Sequence, residues 1–573
     1  MMAGQASLIA PQALALHTER LGPLPLINHV LARLDLDRHL ERFVPTRDSR
    51  VRLPFARGLG VLLRSLLVER EPIYRQAETV ATFAPRAFGL TTEQTTHVGD
   101  DAIGRALDHL FDADRASLLT TLVVAAGERF ELRLDELHND STTVRFCGQY
   151  PAAQGRSIRG KRAPFITYGY SKDHRPDLKQ LLFVLTTSAD GAVPLQFRCE
   201  AGNHNDARTH EQTWDALVAV TGEPGFLYVA DSKLCNHEAM RHIDGRQGRF
   251  VCVLPRSRRE DRDFRAWLQA NEPGWELVWD RRNPRRRHGP RDRWWVWRDR
   301  LPSREGWPVV WVRSSLLALH QERSRRDRLA EATAELTRLA AQLAGARPRR
   351  RSQAEVRDRV DRILRKRHVT RYVRVAIERA EHHEFRQAGP GRPGAHTRYV
   401  RKARGYWKLT WAMDEARIAY DAKSDGMYPL LTNDRTLSNA QVLEAHKRQP
   451  TIEKRFEQVK TVFEIAPVLL KNEGRVEALF FVYFLALMVQ ALIEREVRRV
   501  MQRVGIEDLP LYPEERATAH PTAEQIFRLF SRAERHVLAH DGRAIRIFHP
   551  DLTPLQQQVL AMLGVPSSAY TAP

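Results

Sequence analysis

The sequence predicts an α/β protein: a mixed sheet core, a long insertion within it, and an all-α module ahead of it. Three observations lead there. Apolar residues recur at three-to-four spacing through residues 1–128. Short apolar runs then alternate with helical patterns over 129–256, and an Arg-rich tract over 257–410 breaks that order before it resumes.

The elements follow in turn. "LPLINHVLARLDLDRHLERF" (24–43), "FARGLGVLLRSLLVE" (55–69) and "DDAIGRALDHLFDADRASLLTTLVVAAG" (100–127) read as helices separated by Pro and Gly. "FELRLDELHNDSTTVRFCG" (130–148), "LKQLLFVLTTS" (178–188) and "VPLQFRCEAGN" (193–203) read as strands bounded by turn residues. A helix over 205–222 precedes two apolar strands, "FLYVADSK" (226–233) and "FVCVLPRS" (250–257), with "NHEAMRHIDGR" as a helix between them. A run apolar at every position suits a strand covered on both faces.

Within the insertion, "WELVWD", "RWWVWRD" and "WPVVWVRSS" predict short strands. Leu329, Ala332, Leu336, Leu339 and Leu343, then Val356, Val360 and Ile363, predict a helical hairpin with a coiled-coil-like seam. Residues 406–433 read as strands about a turn at Ser424–Gly426, and 438–464 as a helix that Pro450 breaks or restarts. The expected domains are 1–128 (helical), 129–256 and 411–495 (the two parts of the core), 257–410 (the insertion) and 496–573 (a tail).

Composition narrows the function. Lys and Arg number 91 against 70 Asp and Glu, a net charge of +21, which points to a polyanionic partner. Four scattered cysteines without a C-x-x-C pair argue against a disulfide framework or a structural zinc site. The apolar run 478–493 is shorter than the ~20 residues of a membrane span and contains Gln490, so a buried helix and a cytoplasmic protein are expected.

Asp140 stands inside a predicted strand, where Asp packs poorly. Asp231 closes "FLYVAD", at the carboxyl end where open α/β sheets place their sites. Glu453 lies on the late helix, and on regular α-helical winding it shares a face with Glu457 and Lys460. Three carboxylates suit hard divalent ions, and two such ions suit phosphodiester chemistry.

This order of acids resembles the DDE transposases of bacterial insertion sequences, in the IS-four-like branch whose insertion precedes the Glu. "NDSTTVRF", "GYSKDHRPDLKQL", "VADSKL" and "DGMYPLLTND" are similar to one subgroup of long transposases. The resemblance spans about 130–495 and implies a ribonuclease-H-like core. It implies that Asp140, Asp231 and Glu453 bind two Mg²⁺ (or Mn²⁺) ions, with Lys460 on phosphate. The implied partners are double-stranded DNA, as terminal inverted repeats and target, and a second copy in a synaptic dimer; a bacterial cytoplasm and nucleoid are the implied location. Where the branch signature has Tyr and Arg, this chain has His446 and Gln449, with Lys447 and Arg448 adjacent as candidates for the phosphate contact.

Other stretches fit the same reading. Lys172 and Arg175 in "SKDHRPD" are candidates for DNA contact. Trp294 and Trp295, among many Arg, could stack on a base or pack the insertion's own core. "GRSIRGKR" (155–162) lacks the Ser/Thr and the helix of a phosphate-binding loop. His204 and His210 read as structural or surface residues. A catalytically inactive DNA-binding derivative and a nuclease that never joins strands are the alternatives.

Overall fold

The computed structural model describes residues 14–146, 150, 153–170, 175–204, 209–282, 289–345, 352–462, 470, 472–540 and 543–571. The chain forms two units, one of residues 1–252 with 444–573, the other of 253–443.

The first unit is built on five strands: β1 (Glu136–Phe146), β2 (Lys179–Ser188), β3 (Pro194–Ala201), β4 (Leu227–Ala230) and β5 (Arg249–Val253), in the order β3-β2-β1-β4-β5. β1, β2 and β3 form an antiparallel meander, whereas β4 and β5 run parallel to β1. Parallel neighbours need a crossover, and helices Thr209–Thr221 and His237–Asp244 supply it. All four residues of β4 are buried, as its unbroken apolar run requires.

The helices before β1 belong to this unit. Phe55–Val68 and Asp100–Asp112 pack on the long helix Glu473–Val504. Arg475 at its start pairs with Asp108 at 2.6 Å. Among the described residues this is the one helix long and apolar enough to cross a membrane, but 94% of its most apolar stretch is buried inside the protein. Its apolar run is therefore the core of the unit. The N-terminal region is also not wholly helical: Leu14–Arg20 is a strand paired antiparallel with Glu534–His540.

The second unit contains β6 (Glu276–Arg281), β7 (Asp292–Arg298), β8 (Val309–Ser314), β9 (Val373–Gln387), β10 (Tyr399–Met413) and β11 (Met427–Thr432). The ladder β11-β8-β7-β6 is antiparallel throughout. Helices Ser315–Ala344 and Gln353–Lys366 form the expected hairpin, with Ala332, Leu336, Leu339, Leu343, Val356, Val360 and Leu364 buried along its seam. Leu329 and Ile363 flank the seam, partly buried.

Residues 406–433 are not all strand. Asp414 accepts a hydrogen bond from the Arg417 N–H at 3.1 Å and caps a helix over Glu415–Ala422, between β10 and β11. The pairing of β9 with β10 in a ladder fifteen residues long has no counterpart in the apolar pattern of the sequence.

Candidate active site

The parallel register runs from Glu136↔Leu227 to Asn139↔Ala230. One step further, Asp140 and Asp231 stand abreast, just past the end of the β1–β4 pairing. Each carboxylate is turned by a backbone contact: Asp140 accepts from the Ser141 N–H at 2.7 Å and Asp231 from the Lys233 N–H at 2.9 Å. Burial, and then the charge of Asp231 with a smaller share from Asp140, pushes the Tyr228 hydroxyl well above its ordinary range. Carboxylates brought near each other repel, and a cation between them relieves that cost.

Side chains alternate along β1, so Glu136, His138 and Asp140 share one face. That face meets the start of the helix Pro450–Glu457, which carries Glu453. His138 Nδ1 lies 2.9 Å from Gln449 Oε1, and the Gln449 amide donates to the Asn139 carbonyl at 2.8 Å. His138 Nε2 lies 2.8 Å from Glu136. Arg448 grips Glu136 with two bonds of 2.7 Å. Burial alone would raise the Glu136 carboxyl; the hydrogen bonds from His138 and Arg448 overcome it and hold it at about 2. Arg448, a candidate for DNA phosphate, also forms this strap, with 43% of its side chain exposed.

The helix is held on a second side as well. Ile452, Phe456 and Val459 are buried. Arg455, almost wholly buried, donates to the carbonyls of Gly191 and Ala192, each at 3.0 Å, and pairs with buried Glu494 at 3.0 Å. Glu453, one turn beyond Gln449, remains exposed.

By donor type the three carboxylates fit a hard divalent ion, and register brings two of them together. Among the described residues no three His, Cys, Asp or Glu side chains gather closely enough to hold a metal. The winding also departs from the expected α-helix. Residues Gln458–Val462 form a π-helical turn, which underwinds the chain and displaces Lys460 from the line of Glu453 and Glu457. His446 is half-buried, and desolvation, with smaller contributions from Lys447 and His138, lowers it to about 4, so it is neutral at pH 7.

The remaining candidates lie elsewhere. Lys172 falls outside the described residues. Arg175 pairs with Asp177 at 2.6 Å, both exposed. Trp294 and Trp295, on β7 of the second unit, are half-buried, Trp294 edge-on to Trp279 and Trp295 beneath Arg313. It is Trp297 that packs the insertion's core, stacked on Trp267 at 5.3 Å. His210 is buried against the Tyr228 hydroxyl at 3.0 Å. In 155–162, Arg156 pairs with Glu473 and Arg159 with Asp112, so this basic loop is fastened to helices.

Sequence reasoning missed Glu136, His138, Gln449 and Arg455. A signal for the first two was present: polar residues at every second position of a buried strand. Gln449 was marked only as a departure from the branch signature and nothing marked Arg455; most of their partners lie more than two hundred residues away.

The sheet order, with Asp140 within β1 and Asp231 just past the carboxyl end of β4, is that of a ribonuclease-H-like core. The family model for the transposase DDE domain matches residues 135–489, more than half of the chain, and the protein belongs to that family, in its IS-four-like form. No curated protein matches the chain. DDE transposases generally use divalent metal ions and act on DNA.

Proposed function

We propose that this protein cleaves DNA strands at transposon ends and transfers the freed 3′-hydroxyl into target DNA. The observation that supports the reading is the β1–β4 register, which ends at Asn139↔Ala230, one step before Asp140 and Asp231, next to a helix strapped to β1 that bears Glu453. These three side chains would hold two Mg²⁺ (or Mn²⁺) ions, which when bound activate the attacking oxygen and stabilise the leaving one. Gln449 and His138 fix the helix against the strand. Lys460, Lys172 and Arg175 would meet backbone phosphate, Trp294 and Trp295 an unpaired base, and two copies would hold two ends in the bacterial cytoplasm.

The test is cleavage of DNA carrying the element's ends, with Mg²⁺ or Mn²⁺, by wild type and Asp231→Asn. Cutting that vanishes in the variant while DNA binding persists supports the mechanism; pre-cut ends then separate joining from hydrolysis alone. Gln449 and His446 in place of the signature Arg and Tyr favour a second reading, a DNA-binding derivative without catalysis. Binding by a folded wild type that never cuts would establish that one.

A further inference from the structure

We infer that the β9–β10 ribbon is a DNA-reading arm that enters the major groove of a duplex. The inference rests on the transposase reading for the identity of DNA as partner.

The ribbon pairs fifteen residues a side, from Val373↔Met413 to Gln387↔Tyr399, about 50 Å of ladder. Only its base is anchored. Val373, Ile377 and Leu409 are buried on the helical hairpin, with Val375, Trp407, Trp411 and Met413 packed against them. Beyond Ala380 and Tyr406 no residue of either strand is buried, and Phe385 and Tyr399 are 66% and 54% exposed. A bare two-stranded ribbon gains little stability from its own cross-strand pairs. Its length therefore calls for a partner.

Charge identifies that partner. From Glu381 to Gly405 the ribbon carries Arg386, Arg392, Arg398, Arg401, Lys402 and Arg404 against Glu381 and Glu384, a net charge of +4. Scattered charges of mixed sign would suffice to keep an open edge from aggregating; an excess of one sign attracts a polyanion. Two such ribbons would repel each other, which disfavours a second copy as the occupant. The major groove of B-DNA, ~12 Å wide, admits a two-stranded ribbon, whereas that of A-form RNA does not. Because the base is fixed on a helical hairpin, the arm is presented without first having to fold.

The experiment uses the full chain and two variants. In one, Glu381–Gly405 is replaced by Asn-Gly, a two-residue turn that closes the Ala380↔Tyr406 pair. In the other, Arg386, Arg398, Arg401 and Lys402 become Gln. Probes are duplexes of the DNA flanking the coding region, random duplex, and double-stranded RNA. Affinity is measured against salt, with guanine-N7 methylation interference as the reader of groove occupancy. Expected are a loss of at least ~10-fold in DNA affinity in both variants at an unchanged melting temperature, and a salt slope lower by roughly 0.9 for each phosphate that the variant no longer neutralises. N7 interference is expected in wild type alone.

Equal affinity and slope in all three proteins, N7 interference that survives shortening, or equal binding of RNA would overturn the proposal. Ribbon-dependent binding without metal-dependent cutting would overturn only the transposase reading. A wild type that binds no duplex would overturn both.

Discussion

β1 and β9 are both long strands rich in polar residues, and they treat charge in opposite ways. In β1 nine of eleven residues are buried, and the polar side chains of one face are bonded in sequence, Arg448 to Glu136 to His138 to Gln449. In β9 two of fifteen are buried, and the basic excess of the ribbon's outer half, carried by the turn and by β10, faces solvent. A charge inside a fold must be matched by the fold. A one-signed charge outside it can wait for a ligand. The contrast separates residues that shape the candidate active site from those that meet its substrate.

Removing an acid should have the largest effect on function. Asp140→Asn or Asp231→Asn is expected to reduce metal-dependent cleavage by about 10³-fold or more, with DNA affinity within about threefold of wild type in a mobility shift. Comparable cutting by the variants would end the comparison, since β1 would then hold no catalytic group.

The buried matching around Glu453 is tested next. Arg455→Met leaves Glu494 without its buried partner and should cost about 3–5 kcal/mol, read by chemical denaturation. Gln449→Ala should leave stability within about 1 kcal/mol but weaken Mn²⁺ binding, followed by calorimetry, by roughly 10–100-fold. Recovery in Gln449→Glu, whose carboxylate can still meet His138, would separate positioning from packing.

Acid should dissolve the strap in two stages. Burial lowers His446 when folded, so the unfolded chain takes up a proton first and stability falls as pH drops from about 6.5 towards 4. Glu136 is also depressed when folded, so its contribution is present above about 4.5 and is lost as pH falls towards 2. Glu136→Gln should therefore flatten the lower limb of the stability–pH curve, a difference of about 1–2 kcal/mol at pH 7 after allowing for solvent screening. The smallest effect belongs to Arg175→Ala, which breaks an exposed pair with Asp177 and should change stability by less than about 0.5 kcal/mol.

Much of this was legible in the sequence, for identifiable reasons. The core strands announced themselves because burial on both faces demands unbroken apolar runs, and the helical hairpin because its seam repeats. Asp140 stood out as an acid inside a strand, and Asp231 as an acid closing an apolar run. The ribbon did not, because a strand exposed on both faces leaves no apolar alternation to detect. Residues 415–422, amid β-prone text, concealed a helix whose only local cue was Asp414 as its cap. Gln449, read as a departure from a signature, proved to be a hydrogen-bonding link whose partners could be found only in three dimensions.

The strand Leu14–Arg20 completes its ladder on Glu534–His540, and the Tyr570 hydroxyl donates to the Gly22 carbonyl at 3.0 Å. Residues 253–443, by contrast, form one continuous stretch. During synthesis the inserted unit can therefore close while the unit around it is still waiting for its last strands. The order of assembly is inside out, and a nascent chain halted before residue 534 leaves its first strand with an open edge. A product truncated before residue 534 would thus carry a closed inserted unit while Leu14–Arg20 still lacks its ladder partner.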